Sequence, residues 1–101
     1  MSDRVELDEM LANIVGEDNL YFQPPENTRL RYPCLIYSLD DRDVEYADDM
    51  GYVMNKRYSL QYITKDPDDP VSDELALLPM CRFDRRFVAD KLYHDNYSIY
   101  Y

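Results

Sequence analysis

Residues 54–65 read Met54-Asn55-Lys56-Arg57-Tyr58-Ser59-Leu60-Gln61-Tyr62-Ile63-Thr64-Lys65, and their alternation decides the fold class. Successive side chains of a strand point to opposite faces, so Tyr58, Leu60, Tyr62 and Thr64 share one side and Arg57, Ser59, Gln61 and Ile63 the other. One side is apolar and the other largely polar. That pattern belongs to a half-exposed strand of an antiparallel sheet, since strands of parallel sheets read as continuous apolar runs. A sheet with one apolar face needs a second layer to cover it.

The N-terminal segment supplies such a layer. Leu7, Met10, Leu11, Ile14 and Val15 fall on one helical stripe, with Asp3 as N-cap, Glu6 as its capping-box partner and Gly16 as the stop. The spacing predicts a helix over Arg4–Val15. Residues 20–23 are a short extended piece ended by Pro24 and Pro25. Residues 31–39 form a stronger strand with an apolar centre from Cys34 to Tyr37 and Pro33 near its entrance. Asp66-Pro67-Asp68-Asp69-Pro70 is a turn, after which Ser72 or Asp73 caps a short helix over residues 74–78 that Pro79 ends. In the next strand Met80, Arg82, Asp84 and Arg86 oppose Cys81, Phe83, Arg85 and Phe87, and residues 93–101 supply a last one. The expectation is one α+β domain over residues 1–101, in the order α-β-β-β-α-β-β. Both helices lie on one face of a small antiparallel or mixed sheet.

The chain has 101 residues, 11 of them Tyr, and 21 Asp+Glu against 11 Lys+Arg for a net charge of −10. One core fits this length, and the aromatic content with only 2 glycines argues against disorder. The negative balance repels nucleic-acid backbones and anionic membranes, which leaves proteins as the expected partners. No run approaches the roughly 18 apolar residues of a membrane span, and the polar opening residues lack a signal-peptide core. Cys34 and Cys81 form no CxxC pair and sit in apolar contexts, which reads as buried free thiols in a reducing cytoplasm.

The many carboxylates raise the question of catalysis or metal binding. Asp40, Asp41, Asp43, Asp48 and Asp49 lie in an expected loop, where solvated acids have no reason to shift their pKa. Asp41, Asp43 and Glu45 alternate like the start of a calcium loop, but Tyr46 and Tyr52 stand where such a loop needs Gly and a distal Glu. His94 is the only histidine, and no G-x-S-x-G turn, P-loop or G-x-G-x-x-G is present. The sequence therefore implies no catalytic residue, no metal and no cofactor. Its basic residues cluster instead on strands, at Lys56-Arg57 and at Arg82, Arg85 and Arg86 around Asp84. A basic strand facing the acidic loop of a neighbouring copy would give a heterologous contact that closes by rotation. The tyrosines, with Tyr58 and Tyr62 at strand spacing and Tyr100 and Tyr101 on a terminal aromatic strand, suit interfaces and sheet packing alike.

Several segments carry a family likeness. Tyr21-Phe22-Gln23-Pro24-Pro25, Arg31-Tyr32-Pro33-Cys34-Leu35-Ile36-Tyr37, Lys56-Arg57-Tyr58, Asp66-Pro67-Asp68-Asp69-Pro70, Leu78-Pro79-Met80-Cys81-Arg82-Phe83-Asp84-Arg85-Arg86-Phe87 and His94-Asp95 resemble small virion proteins of tailed bacteriophages and prophages. The likeness covers roughly residues 7–101 and is to the tail terminator or tail completion class. It implies a small α+β subunit that assembles in the host cytoplasm into a ring, commonly a hexamer. The ring caps the tail tube and docks on the head connector. Neck and head-closure proteins are the alternative within the virion, and an acidic DNA-mimic inhibitor is the alternative outside it. The resemblance brings no catalytic or metal residue. It implies that the matching Arg and Tyr positions build fold or ring contacts, and Lys56, Arg57, Tyr58, Arg82, Asp84, Arg85, Arg86, Tyr100 and Tyr101 are the candidate subunit or partner contacts. Asp40, Asp41, Asp43, Asp48 and Asp49 are expected on an acidic lumen that lets DNA pass without holding it.

Overall fold

A computed structural model describes the backbone of residues 4–46 and 52–101, and the side chains of residues 4–40 and 56–101. Helix α1 (Arg4–Val15) is followed by a 3-10 turn (Glu17–Asn19) and strands β1 (Leu20–Phe22), β2 (Cys34–Tyr46) and β3 (Tyr52–Thr64). Helix α2 (Pro70–Ala76) and strands β4 (Cys81–Ala89) and β5 (Leu92–Tyr100) complete the chain. The sheet order is β1-β2-β3-β5-β4, parallel between β1 and β2 and antiparallel elsewhere. The fold is thus α+β with a mixed five-stranded sheet, in the element order the sequence predicts.

Helix α1 has the boundaries its apolar stripe dictates. Leu7 and Leu11 are fully buried, with Met10, Ile14 and Val15 packed beside them. Gly16 stops it at φ 94°, a backbone conformation that side chains with a Cβ disfavour. The expected cap, Asp3, lies outside the described residues.

Helix α2 begins four residues earlier than the spacing predicts. Asp69 is its N-cap, accepting from Val71 N at 3.0 Å, and Pro70 takes the first helical turn, where a missing N–H costs nothing. The same Asp-Pro pair that reads as a turn therefore starts the helix. Ser72, expected as a cap, lies inside α2 and is buried.

The largest departure concerns the expected acidic loop. Strand β2 continues through Tyr46, pairing Asp41 with Arg57, Asp43 with Asn55, Val44 with Met54 and Tyr46 with Tyr52. Asp40, Asp41 and Asp43 therefore stand on a strand, with a register shift between Leu39 and Asp41, while Asp48 and Asp49 lie outside the described residues. Strand β3 offers residues 52–57 as a partner, and cross-strand pairing satisfies backbone groups that charge density alone would assign to water. Since β5 reaches only Arg57 of β3, the rest of this pair projects beyond the sheet as a two-stranded ribbon.

Both helices cover one sheet face. Leu7, Leu11 and Leu75 pack on Leu35, Tyr37, Tyr58, Leu60, Tyr62, Tyr97 and Ile99, all at most 3 % exposed. Tyr58 and Tyr62 are core residues rather than half-exposed rings. On the opposite face a smaller cluster of Cys34, Ile63 and Leu92 lies against Tyr21, Leu30 and Ile36. Burial pushes both free thiols, Cys34 and Cys81, up to about 11, which leaves them protonated and unreactive near neutrality.

Three buried phenols reach partners in the helical layer. Tyr37 donates to Asp8 Oδ1 at 2.6 Å, Tyr62 to Asp69 Oδ2 at 2.8 Å, and Tyr97 to the Ser72 carbonyl at 2.8 Å. Burial pushes Tyr37 and Tyr97 up to about 12 and Tyr62 further still. A proton-binding group whose pKa rises on folding stabilises the fold below its unfolded value and loses that contribution as pH climbs. Stability is expected to hold up to pH of about 10, the ordinary Tyr value, and to fall steeply above it. Denaturant titrations at stepped alkaline pH, followed by phenolate absorbance, check this. Three tyrosines should ionise only with unfolding, and replacing Tyr62 by Phe should soften the decline.

Candidate assembly surface

Strand β4 ends the sheet, and the segment Leu78–Phe87 that carries the family likeness lies mostly on it. The register shift between Phe83 and Arg85 changes which side chains share a face. Cys81, Phe83 and Arg86 stand opposite Ile99, Tyr97 and Asp95 on the helix-covered face, whereas Arg82, Arg85 and Phe87 stand opposite Ser98, Asn96 and His94 on the other. Simple alternation, which grouped Arg82 with Arg86, fails at this bulge.

The bulge gives the arginines different work. Arg86 forks onto Asp95, Nε to Oδ1 at 2.6 Å and Nη2 to Oδ2 at 3.0 Å, while its Nη1 donates to the Pro67 carbonyl at 2.9 Å. Asp95 is 1 % exposed and also accepts from the Ser72 hydroxyl at 2.7 Å. Burial pushes this carboxyl up, but the hydrogen bonds from Arg86 and Ser72 together outweigh it and hold the group below its ordinary value. Arg86 therefore ties β4, β5 and α2 together, while its own side chain stays 33 % exposed beside the buried Asp95.

Arg82 and Arg85 remain on the surface. Arg82 meets Asp84 at 3.3 Å with its own side chain 84 % exposed, and Asp84 also accepts from Ser98 Oγ at 2.6 Å. The Arg85 guanidinium lies 5.3 Å from the Phe87 ring centroid, and Phe87 stacks on His94 at 4.6 Å. Arg57 pairs with Asp40 at 2.9 Å between two exposed side chains, a contact of at most about 1 kcal/mol. The fold brings Arg57, Arg82 and Tyr100 together with Met80 and Ser98 around a shallow cavity of about 210 Å³. Lys56 sits beside it, its carbonyl accepting from Tyr101 N at 3.1 Å, and Tyr101 packs against the core. Tyr58 is only 3 % exposed and presents nothing to a partner.

The sequence reading assigned no contact role to the apolar residues at this end of the sheet. Met80 is 71 % exposed, Val88 61 % and Phe83 47 %, and Leu77 after α2 is 84 % exposed. Periodicity alone could not reveal this, because a strand's pattern does not say whether another strand lies beside it.

Among the described residues there is no group of three or more His, Cys, Asp or Glu placed to hold a metal ion, and no helix long and apolar enough to cross a membrane. His94 Nδ1 is buried without a hydrogen-bond partner. No protein-family model and no curated protein matches the chain.

Replacing Arg86 by Met should cost roughly 3 kcal/mol at neutral pH, because it leaves the Asp95 charge buried without its cation. The sign of the pH dependence follows from the lowered carboxyl. The wild-type contribution is complete above the unfolded Asp value of about 3.9 and is lost as pH falls toward the lower folded value. The deficit of Arg86→Met should therefore shrink below pH of about 4. Urea unfolding of both proteins across that range measures it; a deficit constant with pH would contradict the ion pair.

Proposed function

We propose that this protein is a structural component of a tailed-bacteriophage virion, in the tail terminator or tail completion class. Identical subunits, commonly six, form a ring that caps the tail tube and meets the head connector. The observation that carries this reading is the edge strand β4, which presents exposed Phe83 and Val88 on one face and Arg82 and Arg85 on the other, with exposed Met80 just before it. Apolar side chains on an open sheet edge invite pairing and mark a protein–protein contact. The segments that resemble the phage proteins divide between this surface and the Arg86–Asp95 pair, as expected of a protein whose work is to fold and assemble. The net charge of −10 gives the ring an acidic wall past which DNA slides. An acidic wall makes no phosphate contacts that would retard it.

Native mass measurement and negative-stain imaging of the purified protein should show closed rings. Antibody labelling of intact particles should mark the head-proximal end of the tail. Label on the capsid connector in particles lacking tails would favour the neck or head-closure role. A protein that stays monomeric at high concentration and labels no particle would remove the virion reading.

A further inference from the structure

Two of the unpaired edge stretches among the described residues differ in charge. One is the outer side of β4, nine residues whose segment Cys81–Ala89 holds three arginines and one aspartate. The other is the outer side of β2 beyond Leu39. Strand β1 covers only Leu35–Tyr37, and the Gln23 side chain takes the Leu39 amide at 3.1 Å. Past that point no strand among the described residues covers this side of β2, its other side being paired with β3. This free stretch, residues 40–46, holds Asp40, Asp41, Asp43 and Glu45 against Arg42. The two stretches are also similar in length, at about 23–30 Å.

We infer that β4 of one copy pairs with the distal half of β2 of the next, so that the sheet runs on from subunit to subunit. The occupant of each edge is thus a second copy of this chain. Three observations carry the inference. The first is charge: Arg82 and Arg85 approach a segment with four carboxylates, whereas a two-fold β4–β4 contact would set these arginines against their own copies, and like charges directly opposite destabilise a strand pair. The second is direction. Strand β2 is antiparallel to β3, β3 to β5 and β5 to β4, so β4 runs opposite to β2. A neighbour related by a modest rotation therefore adds its β4 antiparallel to β2, the pairing used in most of the sheet. The third is cover: a neighbour seated there shields the exposed Met80, Phe83 and Val88 and supports a two-stranded ribbon, which by itself is marginal in water.

The contact is staggered. Cys81 is level with Ile99, Tyr58 and Leu39 across the sheet, so β4 lies alongside the proximal half of β2, while the free edge lies beyond it. Each copy is then displaced along the strand direction, and a ring closes when the strands tilt to its axis, as staggered strands close a barrel.

This inference deepens the ring proposed above and rests on it, and charge reversal separates the two. Arg82→Glu/Arg85→Glu and Asp41→Lys/Asp43→Lys are each made as double substitutions in the full chain, with circular dichroism to confirm folding. Each protein alone should associate at least about tenfold more weakly than wild type. A one-to-one mixture should recover assembly with the two proteins alternating, because each reversed edge then meets its opposite. In the wild type, hydrogen exchange should slow at amides of residues 81–89 on assembly, which gives a second readout if a variant fails to fold. Persistence of wild-type rings in either variant, or self-association of Asp41→Lys/Asp43→Lys alone, would overturn the edge contact. The former leaves the ring reading intact. Edge-dependent assemblies that are open chains and never mark tail ends would uphold the contact and remove the tail reading.

Discussion

A phenol can be buried only if its hydroxyl finds an acceptor, and that constraint organises this molecule. Tyr37, Tyr62 and Tyr97 occupy the centre of the sheet at 2 % exposure or less. Their hydroxyls emerge on the side the helices cover. Asp8 of α1, the capping Asp69 of α2 and the Ser72 carbonyl receive them. An aliphatic core would let the helices slide over the sheet for little energy. Here a shift of either helix leaves a buried hydroxyl unpaired, at about 1–3 kcal/mol each. The tyrosines thus contribute bulk to the core and also fix how the two layers sit.

The Arg86–Asp95 pair extends the same logic to a charge. Asp95 stands in the row of Leu35 and Tyr62, facing the helical layer, and is tolerable there because Arg86 and Ser72 saturate it. One bulge in β4 places Arg86 on the helix-covered face and leaves Arg85 on the other face with Arg82. A single inserted residue therefore separates the arginine that holds Asp95 from the two on the opposite face. Thr64 and Tyr62 meet on the same Asp69 oxygen, so the turn before α2 is braced from the sheet as well.

Much of the architecture was legible because it rests on periodicity. The α1 stripe, the alternation of residues 57–64 and the order of elements all follow from side chains that must share a face. The errors fell where a residue type serves two structures equally well. Asp-Pro serves a turn or a helix start, and only the distance from Asp69 to Val71 N decides between them. A run of aspartates reads as a solvated loop until a partner strand is present to pair its backbone, as residues 52–57 do for 41–46. At the candidate assembly surface, Arg57, Arg82 and Tyr100 were legible as polar residues on strands. Met80, Phe83 and Val88 were not, since their exposure depends on β4 being last in the sheet.

Local chemistry, carried by the sequence alone, determined an acidic chain of α+β class, the first helix, the half-buried third strand and thiols in apolar surroundings. It also concentrated basic residues on strands and acidic residues around Asp40–Asp43. Tertiary structure decided which strands are edges, which arginine pairs with the buried Asp95, and that the acids ride on a projecting ribbon. The physical reason is that strand order and register are set by contacts between residues distant in the chain. A strand's own pattern records which face is apolar, and it carries no mark of what lies beside it.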